Sequence, residues 1–317
     1  MGVCRIADGF HRLNPEPLIP MKCSTTLMLP AVLAAVLTSC SSVQIPKREI
    51  TRSEPSAAAL VSLSQRAHGW KSSTQIRDVT VSYEGRWASL GPKFQPVVAD
   101  TKFRGGSEER LLLPSRVMAQ EHSGPAGKKF VLREPGKVAV SYNGKSSDNA
   151  EVRKAAALVA DAYTMFLLGP AYFNRPGVVF ASAGEAVVDK AVCDGVLAVL
   201  RPGFGEAKED RVLLYIDRST KQLRRVRMTL NGLESTQGAE VDVTFRDFRR
   251  IDGILWPTDF DERIRVPFDL HAHHWKLLGL ETNRGYSKSD LGPAGFKGLA
   301  SQPTALPALS TRPRKSP

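Results

Sequence analysis

The sequence predicts a mainly β fold of the α+β kind, an antiparallel meander with one long buried helix against it. Three observations carry this. Short alternating apolar and polar runs recur, separated by Gly, Pro, Asn-Gly or Asp-Gly signals at roughly ten-residue intervals, the rhythm of consecutive antiparallel strands. Residues 150–168 break that rhythm with helical spacing, and their C-terminal half is apolar on nearly every side. The chain has 317 residues with an ordinary apolar content of 42%, enough for one large β domain or two small ones.

Residues 1–20 lack apolar periodicity and contain Pro15, Pro17 and Pro20, so translation is expected to start at Met21. Lys22 is then followed by an apolar run ending at Leu37, with no further charge until Lys47. The run is shorter than the ~20 residues a spanning helix needs and has the length of a signal-peptide core. It closes in Leu37-Thr38-Ser39-Cys40, which resembles the lipobox of bacterial lipoproteins.

That resemblance implies recognition of Leu37, Thr38 and Ser39 by a signal peptidase, alkylation of the Cys40 thiol with diacylglycerol, cleavage before it, and acylation of the new amine. Several acyl chains at ~0.8 kcal/mol per buried methylene make a stable anchor. The expected partner is therefore a membrane, held through lipidated Cys40, with the protein facing the periplasm. Ser41 in place of Asp favours the outer membrane. Of the four cysteines, Cys4 and Cys23 precede the cut and Cys40 is acylated, which leaves Cys193 without an intrachain partner.

The expected division is 1–39 leader and signal peptide, 40–56 lipidated N-terminus and tether, 57–287 one domain, and 288–317 a disordered Pro-rich tail. Residues 41–56 show no pattern that could bury surface. Residues 57–68 read as a short helix stopped by Gly69, and Val79, Val81 and Tyr83 alternate as in a half-buried strand. Runs at 116–122, 128–134 and 137–144 continue the meander. In the helix 150–168, Val152, Ala155, Ala156, Val159, Tyr163 and Phe166 share a face that Leu158, Met165 and Leu168 widen, and Gly169-Pro170 ends it. A helix of this kind needs a broad apolar surface, which the concave face of a curved sheet supplies. Strands follow at 211–217, 223–230, 239–248 and 254–267, with a bulge expected near Phe248, and a last strand at 273–281.

The hairpin YIDRSTKQLRRVRMTL and the following VTFRDFRRIDGILWPTDF resemble a stretch common in periplasmic proteins with the LolA/LolB-like half-barrel. The resemblance implies a curved, unclosed antiparallel sheet with helices packed in its concave face. It also implies an apolar pocket for acyl chains or a lipidated partner. No ligand-gripping residue of those carriers matches here. Met165, Phe166, Leu168, Tyr172 and Phe173 are the expected pocket lining or lid.

The formal net charge of +12 raises nucleic acid as a partner. The arginines, among them Arg224, Arg225, Arg227, Arg246, Arg249, Arg250, Arg263 and Arg265, alternate with apolar residues and acids. That is the pattern of a solvated sheet face, so no nucleic-acid binding is expected, and anionic headgroups are the more natural counterpart. His271 and His273 would share one face of a strand, a spacing that can ligate a metal, with Asp269 the nearest acid. A polar strand face is the favoured reading, and no metal or other cofactor is expected. Cys193 lies among valines and alanines and reads as a buried inert thiol, and PGFG at 202–205 reads as a turn. The chain has no G-x-S-x-G, H-E-x-x-H or C-x-x-C. The expectation is a lipid-binding, non-enzymatic envelope lipoprotein. The alternatives are a scaffolding lipoprotein and a hydrolase with dispersed residues.

Overall fold

The computed structural model describes residues 44–71 and 75–294. Leu37, Thr38, Ser39 and Cys40 lie outside them. The described chain forms helices α1 (Pro55–Ala67), α2 (Gly91–Phe94), α3 (Pro96–Ala99) and α4 (Ala150–Leu168). Its first six strands are β1 (Asp78–Trp87), β2 (Gly106–Leu112), β3 (Val117–Gly124), β4 (Gly127–Glu134), β5 (Lys137–Tyr142) and β6 (Lys145–Ser146). After α4 come β7 (Val178–Val188), β8 (Ala191–Leu200), β9 (Asp210–Asp217), β10 (Leu223–Thr229), β11 (Glu240–Arg246), β12 (Arg249–Ile251), β13 (Ile254–Trp256), β14 (Asp259–Val266) and β15 (Leu270–Thr282).

Among the described residues, thirteen strands form one sheet in the order β6-β5-β4-β3-β2-β1-β15-β14-β11-β10-β9-β8-β7, and β12 and β13 form a separate ribbon. Each described pairing is antiparallel. The sheet is unclosed and curved. Its two edges, β6 and β7, are consecutive in sequence, and α4 is the element that connects them. Asn149 caps α4, its side chain accepting from the Val152 amide at 3.1 Å.

Parity along the strands determines where α4 lies. Val79, Val81 and Tyr83 of β1, Val212, Leu214 and Ile216 of β9, and Val241, Val243 and Phe245 of β11 turn inward. There they share one core with Leu158, Val159, Ala162, Met165 and Phe166 of α4. The helix therefore fills the concave face, as the apolar character of its C-terminal half requires.

The outer face over β8 and β9 is apolar too, because Leu197, Val199, Leu213 and Tyr215 point that way. It is covered by residues 44–54. This corrects the expectation of a tether: Ile45 and Ile50 are buried against that face. The Arg211 guanidinium donates to the carbonyls of Pro46 and Arg48, and that of Arg201 donates to Ile50. The strap then runs along the free edge of β7. There the Glu54 amide donates to Phe180 O, and the Phe180 and Ser182 amides donate to Ser53 Oγ and Glu54 Oε2. An edge strand is thereby blocked against pairing with another chain.

Three further expectations change. The stretch 254–267 is two strands, β13 and β14, and the chain leaves the main sheet at Asp247, which has φ +49°. Residues 288–291, expected within the tail, form a 3-10 turn with a reciprocal Ser287–Asp290 cap, and Leu291 is buried against Leu112, Val117 and Phe130. Arg227, read as part of a solvated face, is buried. Its guanidinium is held two-pronged by Asp242 at 2.5 and 2.9 Å.

Candidate functional site

Between α4 and the inner ends of β2, β3 and β4 lies a cavity of about 470 Å³. Its sheet wall is Leu111, Leu113, Arg116, Met118 and Arg133, its helix wall is Asp161, Thr164 and Leu168, and Trp70 and Tyr172 flank them. The apolar side chains face each other across the interior. The charged ones, Lys71, Arg116, Arg133 and Arg175 against Asp161, give the lining an excess of positive charge.

The polar side of the cavity is organised around Asp161. Arg133 approaches it two-pronged, Nε to Oδ1 at 2.9 Å and Nη2 to Oδ2 at 2.8 Å, which fixes the plane of the guanidinium. The Gly205 amide donates to the same Oδ2 at 2.7 Å, and Arg133 Nη2 also donates to Gly205 O at 3.1 Å. Gly205 has φ +61°, and a Cβ on it would sit 3.0 Å from the Leu158 amide nitrogen of α4. The PGFG segment, read from sequence as a turn, is thus the piece that brings a backbone donor onto the helix.

Tyr172, in the 3-10 turn Gly169–Phe173 after α4, supplies a different feature. Its ring is stacked beside Phe204 and carries the Arg175 guanidinium 4.3 Å from its centroid. Its hydroxyl is buried and has no hydrogen-bond partner among the described residues, and burial raises its pKa well above the phenol value. A buried hydroxyl left without a partner is costly in a dry site and marks a position where a ligand oxygen gains a bond.

Of the five residues expected as pocket lining, the structure brings Leu168 and Tyr172 to the cavity. Met165, Phe166 and Phe173 are packed inside the core, Phe166 against Phe245 and Trp275. Sequence reading missed Arg133, Arg116, Leu111 and Trp70. The usable signal was Arg133, a charge directly after the apolar run Phe130-Val131-Leu132 of β4, together with Asp161, the one aspartate of α4.

The histidines do not share a face. The ladder steps from Arg263–His271 to Glu262–His273, so Ala272 is an extra residue on β15 and the parity inverts. His271 faces outward to Asp261 at 3.1 Å, His274 to Asp259 at 3.1 Å, and Asp269 pairs with Arg263 and Arg265. Among the described residues no three His, Cys, Asp or Glu side chains are grouped to hold a metal.

His273 points inward into an aromatic column, stacked between Trp87 at 3.9 Å and Trp275 at 4.8 Å. Around it lie Arg104, His122, Tyr163 and Tyr83. Burial holds both His122 and His273 well below the usual histidine range, and burial lifts the carboxyls of Glu109 and Glu262 to about 7. Glu109 Oε1 accepts from Ser107 at 2.9 Å and Gln120 at 2.8 Å. The void at this cluster, about 20 Å³, has room for a water-sized guest only. Cys193 is buried on the outer face of β8, and burial pushes its thiol up to about 11, the setting of an unreactive group.

No protein-family model matches the chain, and no curated protein matches it. Solved structures do. A LolA-superfamily protein from Nitrosomonas europaea is similar at 11% identity with a TM-score of 0.50, over 75% of this chain and 98% of that one. A DUF1329-family protein from Desulfovibrio piger is similar at 12% identity and a TM-score of 0.46, over 75% and 98%. The lipoprotein LppX of Mycobacterium tuberculosis gives 11% and 0.25, over 57% and 91%. At such identities the likeness concerns architecture, and the described domain has a LolA-like fold.

Proposed function

We propose that the protein is an envelope lipoprotein that binds a lipid or the acyl chains of a lipidated partner, without covalent chemistry, in the cavity under α4. The observation that carries this reading is the cavity itself. A volume of about 470 Å³ falls in the range of small-molecule sites, which are mostly apolar with a few polar groups placed for orientation. Apolar chains entering it would leave water at about 25 cal/mol per Å² buried. Arg116, Arg133 and Arg175, with the unpartnered hydroxyl of Tyr172, would face an anionic or oxygen-rich head. Anchoring by acylated Cys40, and an outer-membrane position facing the periplasm, belong to the same proposal. They rest on the lipobox-like Leu37-Thr38-Ser39-Cys40.

Native mass spectrometry of a Cys40→Ser chain after exposure to vesicles of phosphatidylethanolamine and phosphatidylglycerol tests the cavity. Bound phospholipid or fatty acid is expected, and it should be lost when Ala171→Phe and Thr164→Leu fill the space. Protein that stays free of lipid at every vesicle concentration, or that binds equally well when filled, refutes the carrier reading.

A further inference from the structure

The far end of β1 from the cavity carries an apolar patch. Leu90, Phe94, Val266 and Phe268 are 47%, 50%, 39% and 53% exposed, and the Phe94 and Phe268 rings lie 5.5 Å apart. They come from α2 and the residue that caps it, and from the end of β14 and the turn joining it to β15. The two segments are held together because Gly91 abuts Ala272, where a Cβ would approach the Ala272 Cα to 3.2 Å. Large apolar side chains gathered at one place, rather than scattered, mark a contact surface. Lys93, exposed between Leu90 and Phe94, has no ion-pair partner among the described residues.

The strap enters the fold at this same end. Arg211, at the start of β9, donates to the carbonyls of Pro46 and Arg48, its own amide donates to Thr229 Oγ1, and the register continues from Thr229 to Glu240 and from Glu240 to Val266. Cys40 is four residues before Gln44, and four trans peptide units span at most about 15 Å. An acyl anchor on Cys40 is therefore confined to the neighbourhood of the patch, where a free tether of seventeen residues would leave the domain at any orientation.

We propose that this end of the half-barrel is seated on the bilayer leaflet that holds Cys40, with Phe94 and Phe268 entering the interfacial region and Lys47 and Lys93 meeting lipid phosphates. The inference rests on the lipoprotein reading above and adds an orientation to it. Amphipathic surfaces of this kind gain from apolar insertion and from basic residues near anionic headgroups together. The orientation has a consequence for cargo. The cavity is lined by Ile76, before β1, and by the ends of β2, β3 and β4 on that side. β1 is ten residues long, or about 30 Å at the usual rise of a strand. The cavity consequently lies on the side away from the leaflet, so exchange of its ligand takes place with a partner in the aqueous phase and not with the protein's own leaflet.

The test uses the acylated chain in vesicles of phosphatidylethanolamine and phosphatidylglycerol, with a nitroxide on Phe268→Cys or, as reference, on Leu278→Cys, which is exposed on the opposite half of β15. Seating predicts that the label at 268 is relaxed by oxygen and loses access to an aqueous nickel chelate, while the label at 278 keeps that access. Equal access to the chelate at both positions, in protein whose Cys40 acylation is verified by mass spectrometry, overturns the seating and leaves the anchor intact. Mass spectrometry that finds Cys40 unmodified overturns the anchor reading and the seating with it.

Discussion

Arg133 and Asp161 form a two-pronged ion pair, at 2.8 and 2.9 Å, between β4 and the middle of α4, and the Gly205 amide closes on the same carboxylate. The pair ties together β4, α4 and the segment at Gly205 beside the cavity. Its side chains are 13% and 20% exposed, so the charges are partly desolvated. Removing one partner leaves the other charge without compensation.

Arg133→Met is therefore expected to destabilise the protein by about 2–3 kcal/mol, below the full cost of breaking a deeply buried pair because both groups retain some water. Asp161→Asn should cost a similar amount, and the double variant less than the sum, with a coupling of about 1–2 kcal/mol. Urea unfolding of the four proteins measures this. Additive losses would show that the pair does not join helix to sheet.

Tyr172→Phe removes only the buried hydroxyl that has no partner among the described residues. In ligand-free protein the change should be neutral or stabilising by up to about 1 kcal/mol, since an unsatisfied polar group leaves the interior. Affinity for a phospholipid should fall by roughly tenfold, the equivalent of one hydrogen bond to a charged head. Thermal melts without lipid and titrations with it separate the two. A loss of stability with unchanged affinity would assign the hydroxyl to the fold.

The sequence made the inward parity of Val79, Val81 and Tyr83 legible, and with it the meander and the apolar helix α4. Strands β7 and β8 were not legible. Val196 to Leu200 are buried on both faces, so the alternation that marks a half-buried strand is absent. The reason is the strap, whose Ile45 and Ile50 are two isolated apolar residues in a polar segment and read as a tether. The cavity was half legible. Leu168 and Tyr172 follow from the helix and its stop signal, but Arg133, Asp161 and Gly205 meet only because the sheet curls β4 under the helix, which no local pattern records. The single inserted residue Ala272 on β15 separated His271 from His273, and bulges of that kind leave no signature in a short polar run.

His68, at the end of α1, accepts at Nε2 from the Leu223 amide, 3.1 Å away, and its Nδ1 lies 3.0 Å from Leu255 O, so the neutral ring with the proton on Nδ1 satisfies both. Burial lowers its pKa to about 4. Because the folded value lies below the unfolded one near 6.5, the unfolded chain binds more protons between them. The stability His68 contributes is thus complete above pH 6.5 and falls as pH drops toward 4, by about 3 kcal/mol at most. Glu109 and Glu262, raised to about 7, act in the opposite sense, losing stability as pH rises from about 4.5 through 7. The parent's own profile mixes these, so the informative quantity is its stability relative to His68→Gln. That difference should be constant above pH 6.5 and shrink toward pH 4, and a difference independent of pH would show that the ring is not held neutral.

The strap can be tested apart from any ligand. Ile50 is 6% exposed and packs on the outer face of β8 and β9 with Ala181, Leu197 and Val199. Truncation removes three carbons from a site that only a loosely held segment can refill, so Ile50→Ala should cost about 2–3 kcal/mol, the lower part of the range for a buried isoleucine. A free tether would give no change. Deleting residues 44–54 should do more. It uncovers the apolar face and also releases the Ser53 and Glu54 groups that occupy the edge of β7, whose Phe180 and Ser182 amides then lack partners. An open edge beside an apolar face is a template for pairing with another chain, so the shortened protein should form dimers or larger species through β7. Sedimentation of the two variants distinguishes the contributions: Ile50→Ala is expected to remain at the parent's size while unfolding earlier in urea, and the deletion to associate. A deletion variant that keeps the parent's size and stability would show that residues 44–54 are not part of the folded unit.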